Sequence, residues 1–206
     1  WVRGQTIEQG APPLLTQTLG QMLREVVERH PQRDCIVDVY ADVSFTYERF
    51  YNRVLRLASA FIRHGLRKGD RVAIWSTNRW EWIIVQWACH LVGLILVNIN
   101  PAYRTHELEY ALNKVGCRAL ITATRFKTSD YLGMLGELAP ELASSHPGRL
   151  TSARLPKLQA VIQIGGQAPG TLPFAEIAQA GAGPQRVRLD ELSRQLQFDD
   201  PINIQF

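Results

Sequence analysis

The sequence predicts an α/β fold: a doubly wound, mostly parallel sheet with helices on both faces. Two observations carry this. From Arg71 to Ile164, apolar runs of strand length alternate with stretches of helical spacing. The runs are also continuously apolar, as in Val72-Ala73-Ile74-Trp75, Leu94-Ile95-Leu96-Val97 and Ala119-Leu120-Ile121. A strand without polar alternation needs cover on both faces, as in a parallel sheet.

In chain order, residues 1–17 are polar with a Pro12-Pro13 pair and read as an extended N-terminal arm. Leu19, Met22, Leu23, Val26 and Val27 fall at helical spacing, and Pro31 closes that helix. Cys35 to Tyr40 reads as a strand, Ala41-Asp42 as a turn and Ser44-Phe45 as a second strand. Thr46 is a suitable N-cap for a long helix that places Phe50, Val54, Leu57, Ala58 and Phe61 on one face and ends at Gly65. Then come a strand over Arg71–Trp75, a helix over Arg79–Leu91 and a strand over Leu94–Ile99. A helix over Thr105–Val115 and a strand over Arg118–Thr122 follow, and then a helix from about Ser129 to Leu142. After a polar loop from Ser144 to Pro156, Leu158–Ile164 returns as a strand and Gly165–Gly170 as a turn. Two weaker helices, Thr171–Ala180 and Val187–Leu196, flank a Gly-Ala-Gly-Pro separator, and a last strand starts near Ile202.

Composition narrows the function classes. At 206 residues the chain buries a sizeable core. The net charge of +4 comes from arginines scattered among acids, so no stripe forms that would track a phosphate backbone, and nucleic acid is not an expected partner. Cys35, Cys89 and Cys117 lie in apolar runs, are odd in number and read as buried small hydrophobes from a reducing compartment. The longest apolar stretch, Trp80 to Val97, is interrupted by Gln86, His90 and Gly93, so no membrane span is expected. The first residues show no signal-peptide pattern. An intracellular soluble protein follows, cytoplasmic given that Arg far outnumbers Lys as in GC-rich genomes, with the mitochondrial matrix as the alternative.

Reactive constellations are scarce. The five histidines are far apart and share no metal-ligand spacing with each other or with the cysteines, so no metal site is expected. Neither G-x-G-x-x-G after a strand nor a Walker lysine motif occurs. Gly165-Gly166-x-x-x-Gly170 reads as a plain loop, because Pro169 removes a donor and no helix opens directly behind it. Trp80 and Trp87, with Ile83, Ile84 and Leu91, read as a core stripe. Trp82 lies off that stripe, facing solvent or a partner subunit.

Several segments together resemble the adenylate-forming superfamily of acyl-CoA synthetases, luciferases and peptide-synthetase adenylation domains. They are Thr46-Tyr47 opening a helix, Gly65-Leu66-x-Lys68-Gly69-Asp70-Arg71-Val72-Ala73-Ile74, Asn78-x-x-Glu81-Trp82, Gly93-x-x-x-Val97 and Asn100-Pro101-x-Tyr103-x-x-x-Glu107-Leu108. Asn98 to Tyr103, Phe126 to Tyr131 and the ending Asp200 to Phe206 are most similar to medium-chain fatty-acyl-CoA ligases. One departure is visible: Arg49 stands where the family often places the Glu of a capping box behind the Thr46 cap.

The resemblance implies that residues 18–206 are a partial N-terminal AMP-binding domain, ending before the Thr-Ser-Gly-rich loop that holds the ATP phosphates. The whole enzyme would join a fatty acid to ATP as an acyl-adenylate and pass the acyl group to coenzyme A, using ATP, CoA and Mg²⁺. None of these would be held wholly by this chain, which alone would be inactive and carries no expected catalytic residue. Arg104, after the Asn-Pro turn, and Lys127, near the start of a later helix, are the cofactor-binding candidates, as cations for CoA phosphates. The alternatives are a non-catalytic binding or interaction module of the same fold and another adenylating enzyme, luciferase-like or a peptide-synthetase adenylation domain. Oligomeric state is not legible.

Overall fold

The computed structural model describes residues 15–179 and 185–206. Most of the expected N-terminal arm and the Gly-Ala-Gly-Pro separator lie outside the described residues, and residues 15–17 carry no helix or strand.

Helix α1 (Leu19–Arg29) opens on a reciprocal cap, Thr18 Oγ accepting from Gln21 N–H and Gln21 Oε1 from Thr18 N–H. Strands β1 (Asp34–Asp38) and β2 (Val43–Thr46) pair antiparallel as a hairpin apart from the main sheet. Strand β1 stops two residues short of the expected Tyr40 because Asp38 Oδ1 accepts from Tyr40 and Ala41 N–H, turning the chain. Helix α2 (Tyr47–Arg63) starts at Thr46, whose hydroxyl accepts from Arg49 N–H at 3.3 Å.

The main chain run is β3 (Arg71–Trp75), α3 (Trp80–Leu91), β4 (Ile95–Ile99), α4 (Thr105–Val115) and β5 (Ala119–Thr122). These match the expected elements to within a residue at each end. Next comes a short antiparallel hairpin, β6 (Arg125–Phe126) and β7 (Ser129–Asp130), ahead of α5 (Tyr131–Leu138) and a 3₁₀ turn over Pro140–Ser144. The expected helix from Ser129 to Leu142 is therefore shorter. Asp130 caps it by accepting from Gly133 N–H, and Pro140, lacking an N–H, restarts the chain as 3₁₀. Strand β8 (Ala160–Gln163) is followed by β9 (Leu172–Pro173), α6 (Phe174–Gln179), α7 (Gln185–Gln195) and β10 (Asn203–Gln205). The first of the two late helices begins three residues later than expected, behind β9.

The six-stranded sheet has the order β10-β4-β3-β5-β8-β9, and every neighbouring pair is parallel. Period 2 splits each strand between two cores. Val72, Ile74, Leu96, Ile121 and Ile162 join the cluster under α2 and α3, while Ala73, Trp75, Val97, Leu120 and Val161 join the cluster under α4 and α5. Helices thus cover both faces, as continuous apolar strands demand.

The Gly65–Ile74 segment that carried the resemblance enters the sheet at its amino edge. The Asp70 carboxylate accepts from Arg67 N–H at 2.9 Å and pairs with Arg118 at 2.7 Å. Arg71 donates to the carbonyls of Gly69, Val115 and Gly116. Gly93 turns the chain into β4 at φ +69°, and a Cβ there would lie 2.7 Å from a Leu196 methyl. These residues build scaffold.

Candidate functional site

The sheet places its chemistry at the opposite edge. From β3 the chain moves outward to β4, then returns across β3 to β5. The strand order therefore reverses at β3, and ligands of open parallel sheets bind outside the carboxyl ends of strands at such a reversal. The segments leaving that edge are Ser76-Thr77-Asn78 after β3, Asn100-Pro101 after β4, Ala123-Thr124 after β5 and Phe206 after β10.

A cavity of about 440 Å³ opens there, between the ends of β4 and β10 and the side of α3. Its polar lining is made of carboxamides: Asn78, Gln86, Asn98, Asn100 and Gln205, with Trp82, Pro101 and Phe206 as apolar wall. Parallel register makes the convergence, since Asn98 lies beside Gln205 across β4 and β10. The Asn98 Oδ1 atom is buried without a hydrogen-bond partner. A carboxamide both donates and accepts but does not titrate. The cavity is built for neutral hydrogen-bonding recognition, not for proton transfer. Trp82, expected off the core stripe, is half-buried and forms one wall, whereas Ile83, expected in the stripe, is 40% exposed.

The Asn-Pro loop beside this cavity is held from below. Asn100 Oδ1 accepts from Ala102 N–H, and Tyr131 O–H donates to the Pro101 carbonyl at 2.6 Å. The Tyr131 ring stacks on Trp75 with centroids 3.8 Å apart. Burial pushes the Tyr131 phenol up to about 12, so it stays a donor throughout the physiological range.

Arg104 reaches the hairpin that carries Lys127. Arg104 Nη1 donates to Ser129 Oγ at 2.7 Å, and Ser129 begins β7, two residues past Lys127. Lys127 sits in the hairpin turn between β6 and β7, four residues before α5 begins. Its φ is +51° and its Nζ lies 5.2 Å from the Phe126 ring centroid. Both side chains are exposed. A cavity of about 360 Å³ beside Arg104 also holds the carboxylates of Asp130 and Glu137, which oppose an anion there.

Among the described residues, the other titratable groups do not converge. His90 is buried between α3 and the start of β10, near the amino edge. Burial lowers its pKa to about 4. The Ile202 backbone opposes the shift, but neither ring nitrogen reaches a partner in hydrogen-bonding geometry. Cys89 and Cys117 are buried and free, and burial pushes the Cys117 thiol up to about 12. The Gly165–Gly170 loop is tied down by Gln163, whose Oε1 accepts from Ala168 N–H at 2.7 Å and from the Thr171 hydroxyl. The Ala168 donor is therefore engaged within the loop. Among the described residues, no three His, Cys, Asp or Glu side chains cluster to hold a metal ion. None of their helices is long and apolar enough to cross a membrane.

A larger cavity, about 520 Å³, lies between the β1–β2 hairpin and the start of α3, walled mostly by Val37, Val39, Tyr40, Trp80 and Ile83. It shares Asn78 and Trp82 with the carboxamide cavity but does not lie at the strand ends. The smaller cavity is the better candidate because polar groups converge in it. Sequence reasoning missed this lining. The available signal was Asn98, a polar residue inside the apolar run of β4 and next to the strand's carboxyl end.

Residues 23–206 match the family described as AMP-binding enzyme. A medium-chain acyl-CoA ligase ACSF2, mitochondrial, of Danio rerio is 41% identical over 194 residues, covering 94% of this chain and 32% of the relative. The Homo sapiens protein of the same name is 42% identical over 196 residues, with the same coverage of both. The chain therefore spans about a third of the length of these curated relatives. Among solved structures, a Mycobacterium tuberculosis fatty acyl CoA synthetase superposes with a TM-score of 0.70 at 21% identity. The match covers 91% of this chain and 32% of that one, and it speaks to the fold alone.

Proposed function

This chain belongs to the AMP-binding enzyme family, and from that premise we propose that it is the N-terminal part of an ATP-dependent, AMP-forming fatty-acyl-CoA ligase. The observation that carries the reading is the family match over residues 23–206, laid on a sheet whose carboxyl edge opens into a neutral, carboxamide-lined cavity. The proposed reaction has two steps. The fatty-acid carboxylate attacks the α-phosphorus of ATP, releasing pyrophosphate and forming an acyl-adenylate. The CoA thiol then attacks the acyl carbon, and AMP leaves in place of a poor hydroxide leaving group.

Within this division of labour, the chain holds one wall of the substrate region, and groups outside it handle the nucleotide phosphates and Mg²⁺. The absence of titratable side chains, among the described residues, from the carboxamide cavity supports that reading. The acyl chain would be of medium length, as the names of the vertebrate relatives have it. The compartment would be the cytoplasm or, since those relatives are named mitochondrial, the mitochondrial matrix.

The test is to assay the full-length protein with octanoate, ATP and CoA. The reading expects AMP, pyrophosphate and octanoyl-CoA. Octanoate-independent ATP hydrolysis, or no turnover across a fatty-acid series, would contradict it.

Arg104 and Lys127 are the proposed contacts for CoA phosphates, supported by the bond from Arg104 to Ser129, two residues past Lys127. Arg104→Ala and Lys127→Ala should each raise the KM for CoA severalfold while leaving acyl-adenylate formation unchanged. Unaltered CoA dependence in both variants would remove them from the site.

A further inference from the structure

Arg49, the residue that breaks the expected capping box, has company. Arg49, Arg53 and Arg56 follow one another at helical spacings of four and three, so they share a face of α2. With Ser44, Phe45 and Asn52 they line a cavity of about 420 Å³, closed at one end by Gln179 of α6. Among the described residues, no carboxylate is in the lining.

Local structure does not account for this arrangement. A cation in the first turn of a helix opposes the macrodipole, and like charges three or four residues apart repel. Arg49 and Arg56 make no side-chain ion pair or hydrogen bond among the described residues. The neighbouring acids are occupied elsewhere: Glu48 accepts from Gln32, and Asp34 from the Ser44 hydroxyl at 3.5 Å.

Arg53 is pinned in place. Its guanidinium lies 4.5 Å from the Phe45 ring centroid and 5.7 Å from that of Trp80, and these rings pack edge to face. Burial and the neighbouring Arg56 both lower its pKa, so the charge felt most strongly there is another cation.

We propose that the Arg49–Arg53–Arg56 face of α2 is a binding site for a phosphomonoester dianion. Arg53 acts as the fixed fork, Arg49 and Arg56 close over the remaining oxygens, and Asn52 supplies a neutral donor. Guanidinium forks match phosphate oxygens in pairs, and a dianion would relieve the repulsion that the fold otherwise leaves uncompensated. The inference does not depend on the proposed ligase activity, since the carboxamide cavity shares no residue with this one. The phosphate could be free in solution or displayed as a lipid headgroup.

Phenylglyoxal footprinting of the full-length protein, read peptide by peptide by mass spectrometry, tests the site without interference from phosphate binding elsewhere. The probes are inorganic phosphate, phosphatidylcholine vesicles containing phosphatidic acid, and plain phosphatidylcholine vesicles. Phosphate should slow modification of Arg53 by about fivefold or more, and exposed Arg149 should be unaffected. Protection by phosphatidic acid vesicles alone would identify the headgroup as the source. In Arg49→Gln/Arg56→Gln the protection should vanish, and in Lys114→Gln, a control of α4, it should persist. Modification of Arg53 at one rate with every probe would overturn the proposal, as would protection that survives the double substitution.

Discussion

His90 gives the residue scale its clearest pH signature. Its folded pKa, about 4, lies below the ordinary 6.5, so the unfolded chain binds the proton more readily. Stability is therefore untouched at neutral pH and is lost progressively as pH falls from about 6.5 towards 4. Between pH 7 and 5 this one group should cost about 2 kcal/mol. Urea melts of His90→Gln should show a correspondingly smaller loss over that interval; equal losses in both proteins would mean that the ring is solvated in solution. Asn98 makes the opposite case. Its buried, unpartnered Oδ1 is a standing cost, so Asn98→Leu should raise unfolding stability by about 1 kcal/mol while lowering acyl-adenylate formation in the full-length protein. A variant that is more stable and fully active would remove Asn98 from the substrate region. This was the scale least legible in the sequence. His90 could be read as a packed histidine, but the carboxamides come from four separate segments and share no motif. Only the register of β4 against β10 brings Asn98 and Gln205 together.

At the scale of elements, legibility followed burial. Strands β3, β4 and β5 are covered on both faces, so hydrophobicity alone marked them. Helix α2 was marked by its cap and apolar stripe. The β6–β7 hairpin has two residues per strand, too few for any period to register. Strand β9, equally short, contains Pro173 and lies at the sheet edge, where a missing N–H is tolerated. The breaks that the sequence did not reveal therefore lie where pairing is minimal. Helix α5 has a second role through Tyr131, which joins the core under β3 to the loop after β4. Tyr131→Phe keeps the stack on Trp75 and deletes the bond to the Pro101 carbonyl. It should destabilise by about 1 kcal/mol and raise hydrogen exchange in the 100–104 loop. Unchanged exchange there would show that the loop holds itself.

For the whole molecule, the parallel sheet separates two kinds of work. Its amino edge, with Asp70, Arg71, Gly93 and Arg118, is a lattice of structural bonds. Its carboxyl edge collects the Asn-Pro loop, the carboxamide cavity and the bond from Arg104 to Ser129. Strand β10 is an edge strand whose outer side is unpaired among the described residues, so the sheet can be extended there. The most direct measurement of this account is a crystal structure of the full-length protein with a non-hydrolysable acyl-adenylate analogue. It should place the analogue over the carboxyl ends of β4 and β10, touching the Asn98–Gln205 cavity, with its phosphate held by residues outside this chain. An analogue bound at the amino edge, or held wholly within these 206 residues, would contradict it.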